Sequence, residues 1–342
     1  MNLKELKYYL KEKEQPPFRI KQIIKAIYKE GHSSFSNITV LSKELRADLD
    51  RDIEILSFEL GKINVSRNKK AHKALLRLMD EEVIETVLIK QADGNFSSCV
   101  SSQVGCTLGC RFCATGAIGF KRNLSAEEIS DQVLFWKQYL VDKKISGRVS
   151  HVVYMGMGEP FMNYEEVKKS LKQILDKDLF DLSARHVSVS TSGVANMLTV
   201  FAKDFPQLNL AISLVTANEK TRMKLMPISK KFSLDQLADS LEEYFKITKR
   251  KVFIEYILLN DVNDREEDAE KLVEFVKKSS HPELLHVNLI RYNTTSSFFS
   301  PSKREQSEKF KDYLEKYWVS VTIRRSLGQE INGACGQLAG EK

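Results

Sequence analysis

Phe96-Ser-Ser-Cys99-Val-Ser-Ser-Gln-Val-Gly-Cys106-Thr-Leu-Gly-Cys110-Arg-Phe-Cys113 reads as a β-strand running into a loop that carries three cysteines in C-x3-C-x2-C spacing. Cys106, Cys110 and Cys113 at this spacing can hold three corners of a [4Fe-4S] cluster and leave the fourth iron without a protein ligand, free to bind and activate a substrate. The competing reading is zinc, whose structural sites want four tetrahedral ligands. His151 or Cys99 could supply a fourth, but no CxxC pair stands elsewhere in the chain. An electron-carrying ferredoxin site usually brings four cysteines.

Outward from this stretch, strands alternate with amphipathic helices. Candidate strands are Phe96 to Ser102, His151 to Met155, His186 to Thr191, Leu208 to Ser213, Val252 to Leu258 and Leu285 to Ile290. Their apolar, β-branched character fits a buried parallel sheet. Ser125-x-x-Glu128 and Ser233-x-x-Gln236 are capping boxes that start intervening helices. Six such units predict an α/β fold with a partial (β/α)6 barrel, since eight are needed for full closure. Upstream, Leu6, Tyr9 and Leu10 and then Ile20, Ile23, Ile24 and Ile27 recur at helical spacing on either side of Pro16-Pro17. Ala74 to Met79 and Val83 to Ile89 read as a β-hairpin. The expected organisation is a helical accessory domain over 1–60 and a basic hairpin extension over 61–92. The barrel follows over 93–300, and a helix, a strand and a cysteine-bearing loop over 301–342.

Composition sets the compartment. With 342 residues, 42% of them hydrophobic, the chain can bury a sizeable core. No apolar run approaches the ~20 residues of a membrane span, and the N-terminus lacks the apolar stretch of a signal peptide, so a cytoplasmic protein without membrane association is expected. Five cysteines, three of them clustered, do not form the dispersed even pattern of a secreted disulfide framework. The net charge of +7 is uneven: between Gly61 and Leu78 stand Lys62, Arg67, Lys69, Lys70, Lys73 and Arg77 with no acidic residue. Such a run can neutralise RNA phosphates, and it equally fits a solvated strand edge guarded by lysines.

Parallel barrels carry their chemistry at the C-terminal ends of the strands. There the chain places the cysteine loop, then Gly156-Met-Gly158-Glu159-Pro160, Ser190-Thr-Ser-Gly193, Ser213 and Tyr292-Asn293. A C-x3-C-x2-C loop with an aromatic residue before the last cysteine, here Phe112, resembles the signature of radical S-adenosylmethionine (SAM) enzymes, in which the open iron chelates SAM. After such a loop, Glu159 reads as an acceptor for the SAM ammonium; alone, Gly-Met-Gly-Glu-Pro would be a tight βα turn. Two more cysteines remain. Period-2 alternation puts Cys99 on the face of Ser101 and Gln103, and Cys335 sits in a Gly-Ala-Cys-Gly loop that could swing over the barrel mouth.

The set Ile84-Glu-Thr-Val87, Cys99-Val-Ser-Ser-Gln-Val-Gly-Cys106, Cys113-Ala-Thr-Gly116, Gly119-Phe-Lys-Arg-Asn-Leu124, Gly156-Met-Gly-Glu-Pro160, Leu225-Met-Pro-Ile228 and Ala334-Cys-Gly-Gln-Leu-Ala-Gly340 resembles the RlmN/Cfr family of radical SAM RNA adenine methyltransferases. Carbons 2 and 8 of adenine lack useful nucleophilicity, so transfer of a methyl cation from SAM cannot work and a radical route is required. The resemblance implies that Cys335 first takes a methyl group from one SAM through its thiolate. A second SAM at the cluster gives the radical that activates this S-methyl group. Its methylene adds to the adenine carbon, Glu85 accepts a proton, and Cys99 attacks the Cys335 sulfur to free methylated RNA and leave a disulfide.

It also implies SAM contacts by Gly158, Glu159, Ser190, Ser213, Leu214, Val215 and Asn293. It further implies a 23S rRNA substrate, with tRNA as a second, an electron donor such as flavodoxin or ferredoxin, and a monomer. Val215 departs from the family, which usually has His there, and Thr294 stands where proline is usual. Gly-Glu-Pro160 and Ser-Thr-Ser-Gly193 look like RlmN and point to carbon 2 of adenosine 2503, whereas Arg291 looks like Cfr, which acts at carbon 8 and confers antibiotic resistance. A non-catalytic RNA-binding module with a structural cluster is the alternative of another class; it predicts that Cys335 is dispensable.

Overall fold

A computed structural model describes residues 1–295 and 298–340. Its centre is a ten-stranded sheet. An antiparallel meander, β1 (Phe58–Val65), β2 (Ala71–Leu78) and β3 (Val83–Lys90), leads into β4 (Phe96–Cys99). Residues Gln103–Gly105 (β5) and Phe120–Asn123 (β6) form a separate two-stranded sheet. The main sheet continues with β7 (Val149–Tyr154), β8 (Val187–Thr191), β9 (Asn209–Ser213), β10 (Val252–Leu258), β11 (Leu285–Arg291) and β12 (Val321–Arg324). Strand order is β1-β2-β3-β4-β7-β8-β9-β10-β11-β12, and every pair from β4 onward is parallel.

The six expected barrel strands are present, with three differences. The last strand, expected as an appendage, joins β11 in parallel and makes a seventh barrel strand. The hairpin is a three-stranded meander; Phe58–Leu60, assigned by spacing to the helical region, begins its outer strand. β1 alternates weakly because it is an exposed edge with a bulge at Leu60/Lys62, so burial did not sharpen its pattern. Finally, β4 stops at Cys99, short of the expected Ser102. There the Gln132 side chain takes over the ladder: its Oε1 accepts from Ser101 N at 2.8 Å and its Nε2 donates to Ser101 O at 3.0 Å. The chain is thereby released into β5, which pairs with β6 and clamps both ends of the cysteine loop, Cys106 N donating to Gly119 O.

Helices cover the sheet with their apolar stripes. The helix Ala126–Asp142 carries its capping box as the sequence signals, Ser125 and Glu128 each accepting the other's backbone N–H. Ahead of the meander, Leu3–Glu12, Phe18–Ile24 and Lys43–Asp52 pack through Leu6, Leu10, Ile23, Ile27, Leu45 and Leu49. They dock on the Ala126–Asp142 helix, where Lys137 Nζ donates to Tyr28 O and Gln138 Nε2 to His32 O. No helix among the described residues is long and apolar enough to cross a membrane.

Candidate active site

At the carboxyl ends of the parallel strands lies a cleft of about 910 Å³ counted out to its open mouth. Cys106, Cys110 and Cys113 line one side; Gly158, Glu159, Ser190 and Ser213 line the other, together with Glu255, Arg324 and Cys335. Burial pushes the Cys106 thiol up to about 12 and Cys110 well above the usual range, each aggravated by its neighbours' charge. A [4Fe-4S] cluster takes one cysteine on each of three irons, whereas a structural zinc wants four ligands on one ion, and three cysteines line this cleft. The donor set fits three corners of a [4Fe-4S] cluster.

Glu159 is buried, and burial raises its carboxyl despite the hydrogen bonds it accepts from Ser192 N at 2.7 Å and Phe161 N at 3.1 Å. An ammonium in the cleft would supply the countercharge it lacks. The two glycines of its motif have a structural reason of their own. A Cβ on Gly156 would stand 2.6 Å from Val100 O, and one on Gly158, whose φ is +95°, 2.5 Å from the Gln103 side chain. Close packing on the β4–β5 connection therefore demands both glycines. Gln103 then receives Glu159 N on its Oε1 at 2.9 Å.

A second cavity lies against the inner faces of β3, β4 and β7 and is closed by residues 324–338. Cys99, Lys90 and Arg325 line this cavity alone, whereas Met155, Ile290, Arg324 and Cys335 line both. Cys335 thus stands in the partition. Cys335 as a residue is exposed, yet protein crowds its thiol; that crowding raises the thiol while Arg324 pulls the other way. Burial and the Cys335 charge together push the Cys99 thiol up to about 12. Burial also works against the Arg324 charge, but Glu255, 3.3 Å away, keeps it protonated. Glu255 is in turn held by Asn288 Nδ2 at 2.9 Å. Sequence reasoning missed this pair, although a lone carboxylate within Val252-Phe-Ile-Glu-Tyr-Ile-Leu258 was a visible signal.

Four expected site residues lie elsewhere. Leu214 and Val215 are fully buried and line neither cavity. Their N–H groups go to Glu255 O, and their carbonyls accept from Arg222 Nε and Asn263 Nδ2. Arg222, also missed, is itself completely buried and ties Leu214 O to Ser192 O, joining the β8 and β9 loops. Asn293 spends both ends of its amide on the C-terminal strap, donating to Cys335 O at 3.0 Å and accepting from Gln329 Nε2 at 2.6 Å. Glu85 lies under the strap's end and lines neither cavity: its Oε2 accepts from Ala339 N at 2.8 Å and Gly340 N at 3.3 Å, while Oε1 pairs with Lys73 at 2.7 Å. Further bonds from Ala114 N to Gly336 O and from Thr115 Oγ1 to Leu338 O fasten the strap to the cysteine loop. Of the basic run, Lys62, Arg67, Lys69, Lys70 and Arg77 are exposed, and Lys73 is buried.

The Radical SAM superfamily profile matches residues 100–276, and that of the ribosomal RNA large subunit methyltransferase N-terminal domain matches residues 1–55. The chain is 40% identical over 340 residues to the probable dual-specificity RNA methyltransferase RlmN of Carboxydothermus hydrogenoformans, covering 99% of this chain and 96% of the relative. It is also 40% identical over 328 residues to the ribosomal RNA large subunit methyltransferase Cfr of Clostridium botulinum, covering 95% and 93%. The crystal structure of a radical SAM methyltransferase from Sphaerobacter thermophilus superposes with a TM-score of 0.92 at 34% identity, covering 100% of this chain and 98% of that one.

Proposed function

The chain belongs to the RlmN/Cfr family of radical SAM RNA methyltransferases, and from that membership we propose that it methylates carbon 2 of adenosine 2503 in 23S rRNA, with adenosine 37 of tRNA as a second substrate. The observation that carries this reading is Cys335 in the wall between the three-cysteine cleft and the cavity that holds Cys99. One thiol reaches SAM on one side and its resolving partner on the other.

In the first step the Cys335 thiolate attacks the SAM methyl carbon; a C–S bond forms and S-adenosylhomocysteine leaves with the electron pair of the broken bond. Glu159 orients the next SAM through its ammonium, with Ser190 and Ser213 beside it. With cluster and SAM bound, the chemistry supplied would be one-electron cleavage of the sulfonium to a carbon radical able to take a hydrogen atom from the Cys335 methyl group. The Cys335 methylene would then bond to the adenine carbon, and the adduct would lose one proton, to Glu85, and one electron, returned to the oxidised cluster that supplied it. The Cys99 thiolate attacks the Cys335 sulfur, the S–CH2 bond breaks, and the freed carbon takes a proton to become methyl. A thiol reductant restores the resulting disulfide.

Equal identity to an RlmN and a Cfr relative leaves regiochemistry to the site. Gly-Glu-Pro160 and Ser-Thr-Ser-Gly193 flank the cleft, while Arg291, the Cfr-like residue, turns away to donate from Nε to Ser302 O at 2.8 Å. The test is chromatography and mass spectrometry of nucleosides from 23S rRNA treated with the reconstituted enzyme. 2-Methyladenosine supports the proposal, and 8-methyladenosine replaces it with the Cfr-type activity.

A further inference from the structure

Lys73 is the one member of the basic run that solvent does not reach. It is 6% exposed, on β2, and its Nζ lies 2.7 Å from Glu85 Oε1 on β3. Registers Lys73↔Val87 and Leu75↔Glu85 make the two residues diagonal neighbours on one face of the antiparallel pair. Glu85 is 1% exposed. Burying a carboxylate is costly unless a partner meets it, and Lys73 is that partner. The two Glu85 oxygens are differently employed: Oε1 is held by Lys73, and Oε2 points at the strap, where Ala339 N and Gly340 N occupy it.

We propose that Lys73 is a positioning residue for the proton-removal step: it fixes Oε1 of Glu85, so that Oε2 faces the adduct as the accepting oxygen when residues 339–340 lift from it. The inference rests on the assignment of Glu85 as proton acceptor. It explains why a lysine is buried on a strand whose neighbouring buried positions include Ala71, His72, Ala74 and Leu76. Holding Oε1 on a cation within the sheet leaves the strap bonded to Oε2 alone, by two backbone N–H groups that can leave together. The proton passes from the adduct carbon to Oε2. From Oε2 the proton leaves to solvent through the lifted strap.

The test uses the full chain, anaerobically reconstituted, with SAM, dithionite and a 23S rRNA fragment containing the target adenosine. Two quantities are read: methyl transfer to Cys335 by mass spectrometry, and partition of RNA between methylated product and covalent protein–RNA adduct. Lys73→Met should methylate Cys335 at the wild-type rate yet cut product at least tenfold and accumulate adduct, and Lys73→Arg should restore product. If Lys73→Met does not fold, Lys73→Gln, which keeps a donor for Oε1 but not the cation, replaces it and should show the same accumulation. Normal product from Lys73→Met overturns the inference, as does equal slowing of Cys335 methylation and of the RNA steps, which would mark a purely structural pair. Normal product from Glu85→Gln alone would instead remove the proton-acceptor assignment itself.

Discussion

The cleft beside the cysteine loop is walled by loops that leave the carboxyl ends of parallel strands, whereas the cavity behind Cys335 is walled by strand faces and by a strap from the far end of the chain. Loops are local: Cys106 to Cys113 and Gly156 to Pro160 each place their groups within a few residues. The strap is not. Cys335 is set by Asn293, by Ala114 and Thr115 through its neighbours, and by Glu85 at its end. Each of these bonds contributes only about 1 kcal/mol, so a strap held by a handful of them can undock where a strand could not. In the proposed mechanism the loop half would bind the small cofactor, and the strap would carry the methyl group to RNA.

Loss of one ligand from the loop half should separate the two most completely. Cys106→Ala should reduce bound iron from about four per chain to near none and abolish both SAM cleavage and RNA methylation. RNA affinity by filter binding should change less than about threefold, because the exposed Lys62, Arg67, Lys69 and Lys70 are untouched. A parallel loss of RNA binding would show that the halves fold as one unit and break the contrast.

The next contrast lies within the second half. Cys335→Ala should accept no methyl group at all, while Cys99→Ala should accept one, react with RNA once and stall as a covalent adduct. Turnover is lost in both, but denaturing gels distinguish them. If Cys335→Ala still methylates RNA, the thiol-carrier mechanism falls.

How much of this was legible follows the same line. The cysteine loop, the Glu159 turn and the capping box at Ser125 are short-range patterns, and each lies where spacing placed it. The seventh strand was legible as a strand but not as a barrel member, because pairing of Val287 with Val321 is decided by a helix crossover and not by either segment. Lys73 read as one more surface cation: nothing in its own neighbourhood announces a carboxylate twelve positions on, across a β-turn. Asn293 and Glu85 were found by resemblance. What they touch was hidden, since their partners are contributed by the strap, Glu85's from more than 250 residues away.

A smaller effect is expected at the partition. Arg324 is the one cation lining both cavities among the described residues, and it opposes the burial that raises Cys335. Arg324→Gln should raise that thiol further, shrink the thiolate fraction at neutral pH and slow Cys335 methylation by about tenfold. Because the deficit is one of deprotonation, an increase of about one pH unit should recover the wild-type rate. A deficit that persists at high pH would assign Arg324 to binding instead.

The least effect is expected at Val215, the residue that departs from its family. Its φ of +65° is strained for a β-branched side chain, at a cost of order 1–3 kcal/mol. Burial among Leu108, Phe112, Leu225 and Met226 returns a similar amount, about 1.5 kcal/mol or more. Val215→Asn exchanges one for the other, since asparagine tolerates the left-handed region but packs poorly there, so the urea midpoint should move little. SAM affinity by equilibrium binding to the reconstituted enzyme should change less than about threefold, because the side chain lines neither cavity. A tenfold loss of affinity would mean that the β9 loop rearranges to meet SAM, and that the cofactor half of the molecule moves as well.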